Sequence, residues 1–331
     1  MSALELCHET LLPYLREPLA SADRLARTVE ECADLPDIFR AFYFECRLSP
    51  PGSRVDLLAA ARRPERALPT ATATNELHSF VSGWLGGTIA PAARYVWLER
   101  DDLPVSYQRR IRNVHVCVDS GYRGTGPRTG DLPAFDRDAA RGVADEMEIA
   151  GLLTDAQREQ VNACLDWLPE QGRLIHLSSM QERTPSELKF YIALPCAAFE
   201  TSLVALDRGL SRHIQALEPW AVPALTGPTI YCDVTFREAA VHSLGIVYSQ
   251  LTEVTREDPS RSALRERFLA EGLCTLSQDA ALRAWMAAPT DPVCERDPSR
   301  RVHRWLDLKI TSTEALSTKA YLGFTSMVSL F

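Results

Sequence analysis

Only three lysines occur among the 36 basic residues of the 331-residue chain, Lys189, Lys309 and Lys319; the rest are arginine. Each sits in a run where polar and apolar residues alternate, and two open the same tripeptide, Lys189-Phe190-Tyr191 and Lys319-Ala320-Tyr321. A lysine is a compact ammonium suited to a phosphate oxygen. A tyrosine two positions on shares its strand face and adds a hydroxyl donor and an aromatic wall. A third run, FECRLSPPGSRVDL, places Glu45 near Tyr43 and Arg47 and sets Arg54 just past a Pro-Gly turn.

Other chemistries find no foothold. The patterns GxxxxGKS/T, HExxH, GxSxG, GxGxxG and DDxxD are all missing, so nucleotide, zinc, hydrolase and dinucleotide motifs are not present. Neither a metal nor a cofactor is expected. Glu99 and the pair Asp101-Asp102 lie at a strand end and read as a solvated turn, not a magnesium site. His176 and His242 read as structural. The nine cysteines are spread singly with no CxxC pair, the usage of reduced thiols and not of a disulfide framework.

The elements that must position these residues follow from hydrophobic periodicity. FRAFYFECRLS and RVDLLAAA flank a Pro-Gly turn and predict a β-hairpin. A helical stretch, NELHSFVSGWLG, precedes ARYVWLERD and RNVHVCVDS. A long helical segment from Arg137 to Trp167, broken near Gly151, precedes GRLIHLSSMQ and SELKFYIALP. The helical run AAFETSLVALDRGLSRHIQAL leads to PTIYCDVTF and VHSLGIVYSQL. Two more helices precede RWLDLKIT and STKAYLGFTS. With an N-terminal helix ahead of the first hairpin, the order is helix then hairpin, five times. That pattern favours antiparallel pairing over βαβ winding. We expect one α+β domain over residues 1–331.

Side chains alternate between strand faces. One face is apolar throughout, as with Leu188, Phe190, Ile192 and Leu194. The other carries Tyr43, Glu45, Trp97, His115, Lys189, Tyr191, Tyr231, Asp233, Asp307, Lys309, Lys319 and Tyr321. Ordinary solvated strands are not this rich in aromatic residues, lysine and carboxylates. If ten strands close on themselves, this face lines an interior wide enough for a ligand.

Five helix–hairpin repeats with a polar ten-stranded interior resemble the ABBA aromatic prenyltransferases (PT barrels). The resemblance extends to Glu45 followed by Arg54 on the partner strand, and to the repeated Lys-x-Tyr, the first running into Pro195. It implies a closed antiparallel ten-stranded barrel with helices outside. The implied activity is transfer of a prenyl group from an isoprenoid diphosphate to an aromatic or other nucleophilic acceptor: a small molecule, an amino acid or a peptide side chain. Glu45 would be the catalytic base. Arg54, Lys189, Tyr191, Tyr231, Lys309, Lys319 and Tyr321 would hold the diphosphate, and Tyr43, Trp97 and His115 would line the acceptor and prenyl pocket. The alternatives are another peptide- or small-molecule-modifying enzyme on the same barrel, or a non-catalytic ligand-binding accessory protein.

The formal charge of −8 argues against nucleic acid or an anionic membrane as partner, since both call for a basic surface. No apolar run approaches the roughly 20 residues of a membrane-spanning helix, and the N-terminal segment reads as a mature helix and not a signal peptide. A cytoplasmic monomer is expected.

Overall fold

The structure is a computed structural model. It describes residues 15, 17–21, 23, 25–26, 39–49, 55–63, 76–90, 92–101, 113–119, 134–181, 183, 185–206, 208–222, 228–238, 240–248, 259–287, 293–294 and 297–328.

Alternation of large apolar and polar residues gives strands wherever the sequence predicts them. They are β1 (Phe39–Ser49), β2 (Val55–Arg62), β3 (Tyr95–Arg100), β4 (Asn113–Cys117), β5 (Arg173–Met180), β6 (Glu187–Pro195), β7 (Thr229–Arg237), β8 (Ala240–Tyr248), β10 (Asp297–Ser312) and β11 (Leu316–Val328); a two-residue β9 (Val293–Cys294) is additional. The hydrogen-bonded order is β11-β1-β2-β3-β4-β5-β6-β7-β8-β10-β9, and β10 also pairs with β11. The ten long strands therefore close their pairing order, the connectivity of a ten-stranded antiparallel barrel. Helices precede β3–β4, β5–β6, β7–β8 and β10–β11, whereas the segment ahead of β1 lies mostly outside the described residues.

The elements fall into two compact units. The first holds β1, β2, α6 (Pro259–Ala270), α7 (Leu276–Ala287), β9, β10 and β11. Its helices are tied to strand backbone. Trp285 Nε1 donates to the Trp305 carbonyl at 3.1 Å, Arg304 donates to the Trp285 carbonyl at 2.6 Å, and the Thr318 hydroxyl donates to the Leu273 carbonyl.

The second unit holds α1 (Glu76–Leu85), β3, β4, α2 (Arg137–Ile149), α3 (Asp155–Trp167), β5, β6, α4 (Phe199–Leu206), α5 (Ser211–Leu217), β7 and nearly all of β8. Local chemistry sets the α2–α3 break. Asp136 caps α2 by accepting from the Ala139 N–H, Gly151 follows the helix at φ +72°, and Thr154 with Gln157 forms a capping box on α3. A left-handed residue just past a helix end is where glycine costs least. Helix α2 buries Ala140, Val143, Ala144 and Met147, the spacing of one helical face.

The apolar face of the strands is buried, and so is much of the polar face, where Tyr43, Lys189, Tyr191 and Tyr231 are half-buried. The apolar face holds Phe42, Phe44, Val114, Val116, Phe190, Ile192, Val234, Leu308 and Leu322. The polar face holds Glu45, Asp56, His115, Asp233, Thr235, Ser243, Asp307 and Lys309, all buried as well. A sheet with one wet face would leave that second set exposed.

Candidate functional site

In the second unit, aromatic residues of β3, β5, β6 and β7 meet on one face of the sheet, the Trp97–His176 contact reaching past β4. Four ring contacts form a continuous ladder: Tyr95–Trp97 at 5.7 Å, Trp97–His176 at 4.3 Å, His176–Tyr191 at 5.2 Å and Tyr191–Tyr231 at 5.7 Å between centroids. The last two pairs stack within 20° of parallel, at 19° and 18°. Such a wall gathers electron-rich rings side by side. Burial first of all, with the neighbouring His115 next, holds the His176 imidazole down at about 3, so it stays neutral; Asp233 opposes that shift only in part. Burial likewise pushes the Tyr231 phenol up to about 12. Beside Tyr231, Arg173 grips Asp119 through two hydrogen bonds of 2.6 Å.

Next to the ladder lies a charge network. His115 on β4 stands opposite Ser178 on β5, and Ser178 stands opposite Lys189 on β6. His115 Nδ1 lies 2.6 Å from Ser178 Oγ, and its Nε2 lies 2.7 Å from Glu99 Oε2. Glu99 Oε1 accepts from Arg183 at 2.7 Å, and Lys189 Nζ lies 4.0 Å from Glu99 Oε2. Glu187 accepts from Arg183 at 2.8 Å and also from Arg237. Burial alone would raise the Glu99 carboxyl, but Lys189, Arg183 and His115 outweigh it and hold Glu99 well below the usual carboxylate range. The same competition, with Arg183, Arg237 and Lys189 opposing burial, lowers Glu187. Glu99 is thus not the solvated strand-end acid that its position suggested. It is 1% exposed and binds three elements together.

In the first unit, register builds two rows across the polar face. Asp56, Glu45, Tyr321 and Asp307 stand opposite one another in turn, and Arg47, Lys319 and Lys309 form the next row. Like charges directly opposed on a sheet destabilise it, and the acid row offsets the cation row. Lys319 donates to Glu45, and Arg47 lies 3.7 Å from Asp56. Two donors at this end, Arg47 Nε and Thr311 Oγ1, are buried with no hydrogen-bond partner among the described residues.

At the other end of that face, Tyr43 packs edge-on against Trp305 at 5.2 Å, and both face Gly323 in the register. Burial, then the Asp307 charge, raises the Tyr43 phenol above its ordinary value, with the Trp305 indole countering in part. Gly323 is required here because a Cβ would lie 2.1 Å from Trp305 Nε1. Gly323→Ala must swing the indole off Tyr43, and overpacking of this kind costs about 1–3 kcal/mol. We expect a lower melting temperature with altered tryptophan fluorescence; an unchanged value of both would contradict the packing described.

The predicted site residues divide accordingly. Glu45, Tyr43, Lys309, Lys319 and Tyr321 lie together on the first unit's polar face, and Trp97, His115, Lys189, Tyr191 and Tyr231 on the second's. Arg54 lies outside the described residues. Sequence reasoning missed Tyr95, Ser178, Arg183 and Arg237, and it set His176 aside as structural although that ring joins the two halves of the ladder. The parity of Tyr95 with Trp97, and of His176 with Ser178, was the signal available.

Among the described residues no group of three or more His, Cys, Asp or Glu side chains is placed to hold a metal ion, and no helix is long and apolar enough to cross a membrane. No protein-family model matches the chain, and no curated protein matches it.

Proposed function

We propose that the chain transfers a prenyl group from an isoprenoid diphosphate to an electron-rich acceptor: an aromatic small molecule, an amino acid or a peptide side chain. The observation that carries this reading is the five-ring ladder from Tyr95 to Tyr231, next to Lys189 on a buried polar face. A buried binder of neutral ligands has no use for ammonium and guanidinium groups held out of water. A diphosphate leaving group does.

The allylic carbon–oxygen bond breaks, and negative charge builds on the departing diphosphate. Two sets of groups suit such charge: Lys189, Arg183 and Arg237 with the hydroxyls of Tyr191 and Tyr231 in the second unit, and Lys309 and Lys319 with Tyr321 in the first. The orphaned donors Arg47 Nε and Thr311 Oγ1 are the kind of group that phosphate oxygens satisfy. The ring faces of Trp97, Tyr191 and Tyr231 stabilise the allyl cation and keep water from it. Glu45 accepts the acceptor's N–H or O–H and raises its nucleophilicity.

Dimethylallyl thiolodiphosphate, a slowly ionising analogue, tests the binding half of this reading. Mass action stabilises the folded chain by about 2.7 kcal/mol at 100 times Kd, so the melting temperature should rise. Lys189→Ala should shift the response to higher concentration, because a cation facing phosphate is lost. No rise with the wild-type chain at millimolar analogue would overturn the proposal.

A further inference from the structure

Beyond the pocket-lining role that the resemblance implies for His115, the arrangement of Ser178, His115 and Glu99 has a chemistry of its own. Three side chains from three adjacent strands are joined by two short hydrogen bonds, 2.6 Å from Ser178 Oγ to His115 Nδ1 and 2.7 Å from His115 Nε2 to Glu99 Oε2. The partners fix the direction of both. Glu99 is an ionised carboxylate and can only accept, so His115 Nε2 carries the hydrogen. In the neutral imidazole Nδ1 is then bare, and the Ser178 hydroxyl donates to it. A hydroxyl hydrogen-bonded to a base, with the base oriented by a carboxylate, is the arrangement that activates a nucleophile. The two ring nitrogens serve equally as base and anchor, so the order of use matters less than the geometry.

Two features separate this from an ordinary buried histidine. Glu99 is itself anchored by Arg183 at 2.7 Å, which keeps the carboxylate in place when the imidazole becomes charged. The Lys189 ammonium lies 4.0 Å from the same Glu99 oxygen that His115 holds, and Lys189 stands directly opposite Ser178 in the β5–β6 register. A cation beside the hydroxyl can take the charge that develops on a carbonyl oxygen under attack. The neighbouring Ser179 provides an internal contrast, because its hydroxyl is spent on the Leu152 carbonyl at 2.5 Å. Other ionisable neighbours of the imidazole are accounted for. Glu187 is taken up by Arg183 and Arg237, and His176 stays neutral in the ring ladder.

We propose that Ser178 is an acyl-accepting nucleophile, with His115 as its general base and Glu99 as the group that orients the imidazole, acting on small carboxylic esters whose apolar part lies against Trp97. Trp97 stands opposite His115 on β3. Ser178 Oγ bonds to the carbonyl carbon as its proton passes to His115 Nδ1. The bond from carbon to the alcohol oxygen then breaks, and that oxygen takes the proton from His115. Water repeats the sequence on the acyl-serine: its oxygen bonds to the carbonyl carbon, its proton goes to His115, the serine ester bond breaks, and Ser178 recovers a proton. Ester and water become acid and alcohol, and no further reactant enters. Ser178 is 1% exposed, while the Lys189 side chain opposite it is 12% exposed. With the hydroxyl this enclosed, compact reagents react faster than bulky ones.

A compact dialkyl fluorophosphate reads this without any prenyl substrate, so its outcome is independent of the function proposed above. The folded wild-type chain should gain one phosphoryl adduct, mapped by peptide mass spectrometry to Ser178 and not to Ser179. Prior unfolding in urea should abolish the adduct. Ser178→Ala should remove it, and His115→Gln should slow its formation by roughly 10²–10⁴, the range for a lost general base. An unmodified Ser178 in the folded wild-type chain, under conditions that label a control serine esterase, overturns the proposal. So does an adduct on Ser178 that forms equally fast in His115→Gln or after unfolding. Because the wild-type chain alone decides the first point, a variant that fails to fold leaves the test intact.

Discussion

Glu45→Gln should lower prenyl transfer by roughly 10²–10⁴, the range for a lost general base, and leave affinity for the diphosphate analogue unchanged. Glutamine keeps the volume and one acceptor oxygen but removes both the charge and the capacity to take a proton. The expectation has a structural competitor, because Glu45 is hydrogen-bonded by Lys319 and stands in register with Asp56 and Tyr321. Removing one partner of a buried ion pair costs about 3–5 kcal/mol when the other is fully enclosed. The Lys319 side chain is 22% exposed, so water recovers part of that loss. The two roles separate in two assays. A collapse of turnover in a chain that melts near the wild-type temperature assigns Glu45 to the chemistry. A lowered melting temperature with near-normal turnover in the folded fraction leaves it as the counter-charge of Lys319.

Acid should weaken the fold through His176, ahead of any carboxylate. Half-buried and packed between Trp97 and Tyr191, its imidazole takes up a proton only at about pH 3 in the folded chain, whereas an unfolded histidine does so near 6.5. Between those values the unfolded state binds more protons, so stability is fully present above about pH 6.5 and falls as pH drops, by about 1.4 kcal/mol per pH unit. Glu99 and Glu187, lowered in the folded chain, add their own loss only below about pH 4.5. In the interval between, His176 acts together with His242, which burial also lowers; His242 contributes alike in the wild-type chain and in His176→Phe. Urea unfolding at pH 7 and pH 4.5 should show the wild-type chain losing about 2–3 kcal/mol more than His176→Phe, which keeps a ring in the ladder but cannot titrate. Equal losses in both would show that the His176 proton is not excluded by burial.

How far the sequence discloses this molecule differs between its faces. Strand faces are legible because the period of two is local, and Lys189, Tyr191 and Tyr231 can be placed on one face from their own neighbours. Glu99 cannot. At the end of YVWLER it has the look of a solvated acid, and its burial depends on His115 from the next strand and on Arg183 from the turn after β5. His176 is similar. Its single-residue context shows a histidine in an apolar strand, and only the strand order β3-β4-β5-β6 turns it into the middle ring of the ladder. Strands β10 and β11 extend beyond RWLDLKIT and STKAYLGFTS, because cross-strand pairing continues past the alternating run of each strand. The two-residue β9 has no period to read.

Transfer itself remains the most direct test. The chain is incubated with dimethylallyl and geranyl diphosphates against a panel of indoles, phenols, free aromatic amino acids and short peptides, and products are read by mass. The account predicts an acceptor that gains the mass of one prenyl group, with release of diphosphate that depends on Lys189. Recovery of every acceptor unchanged, by a chain that neither consumes nor binds either diphosphate, would contradict it.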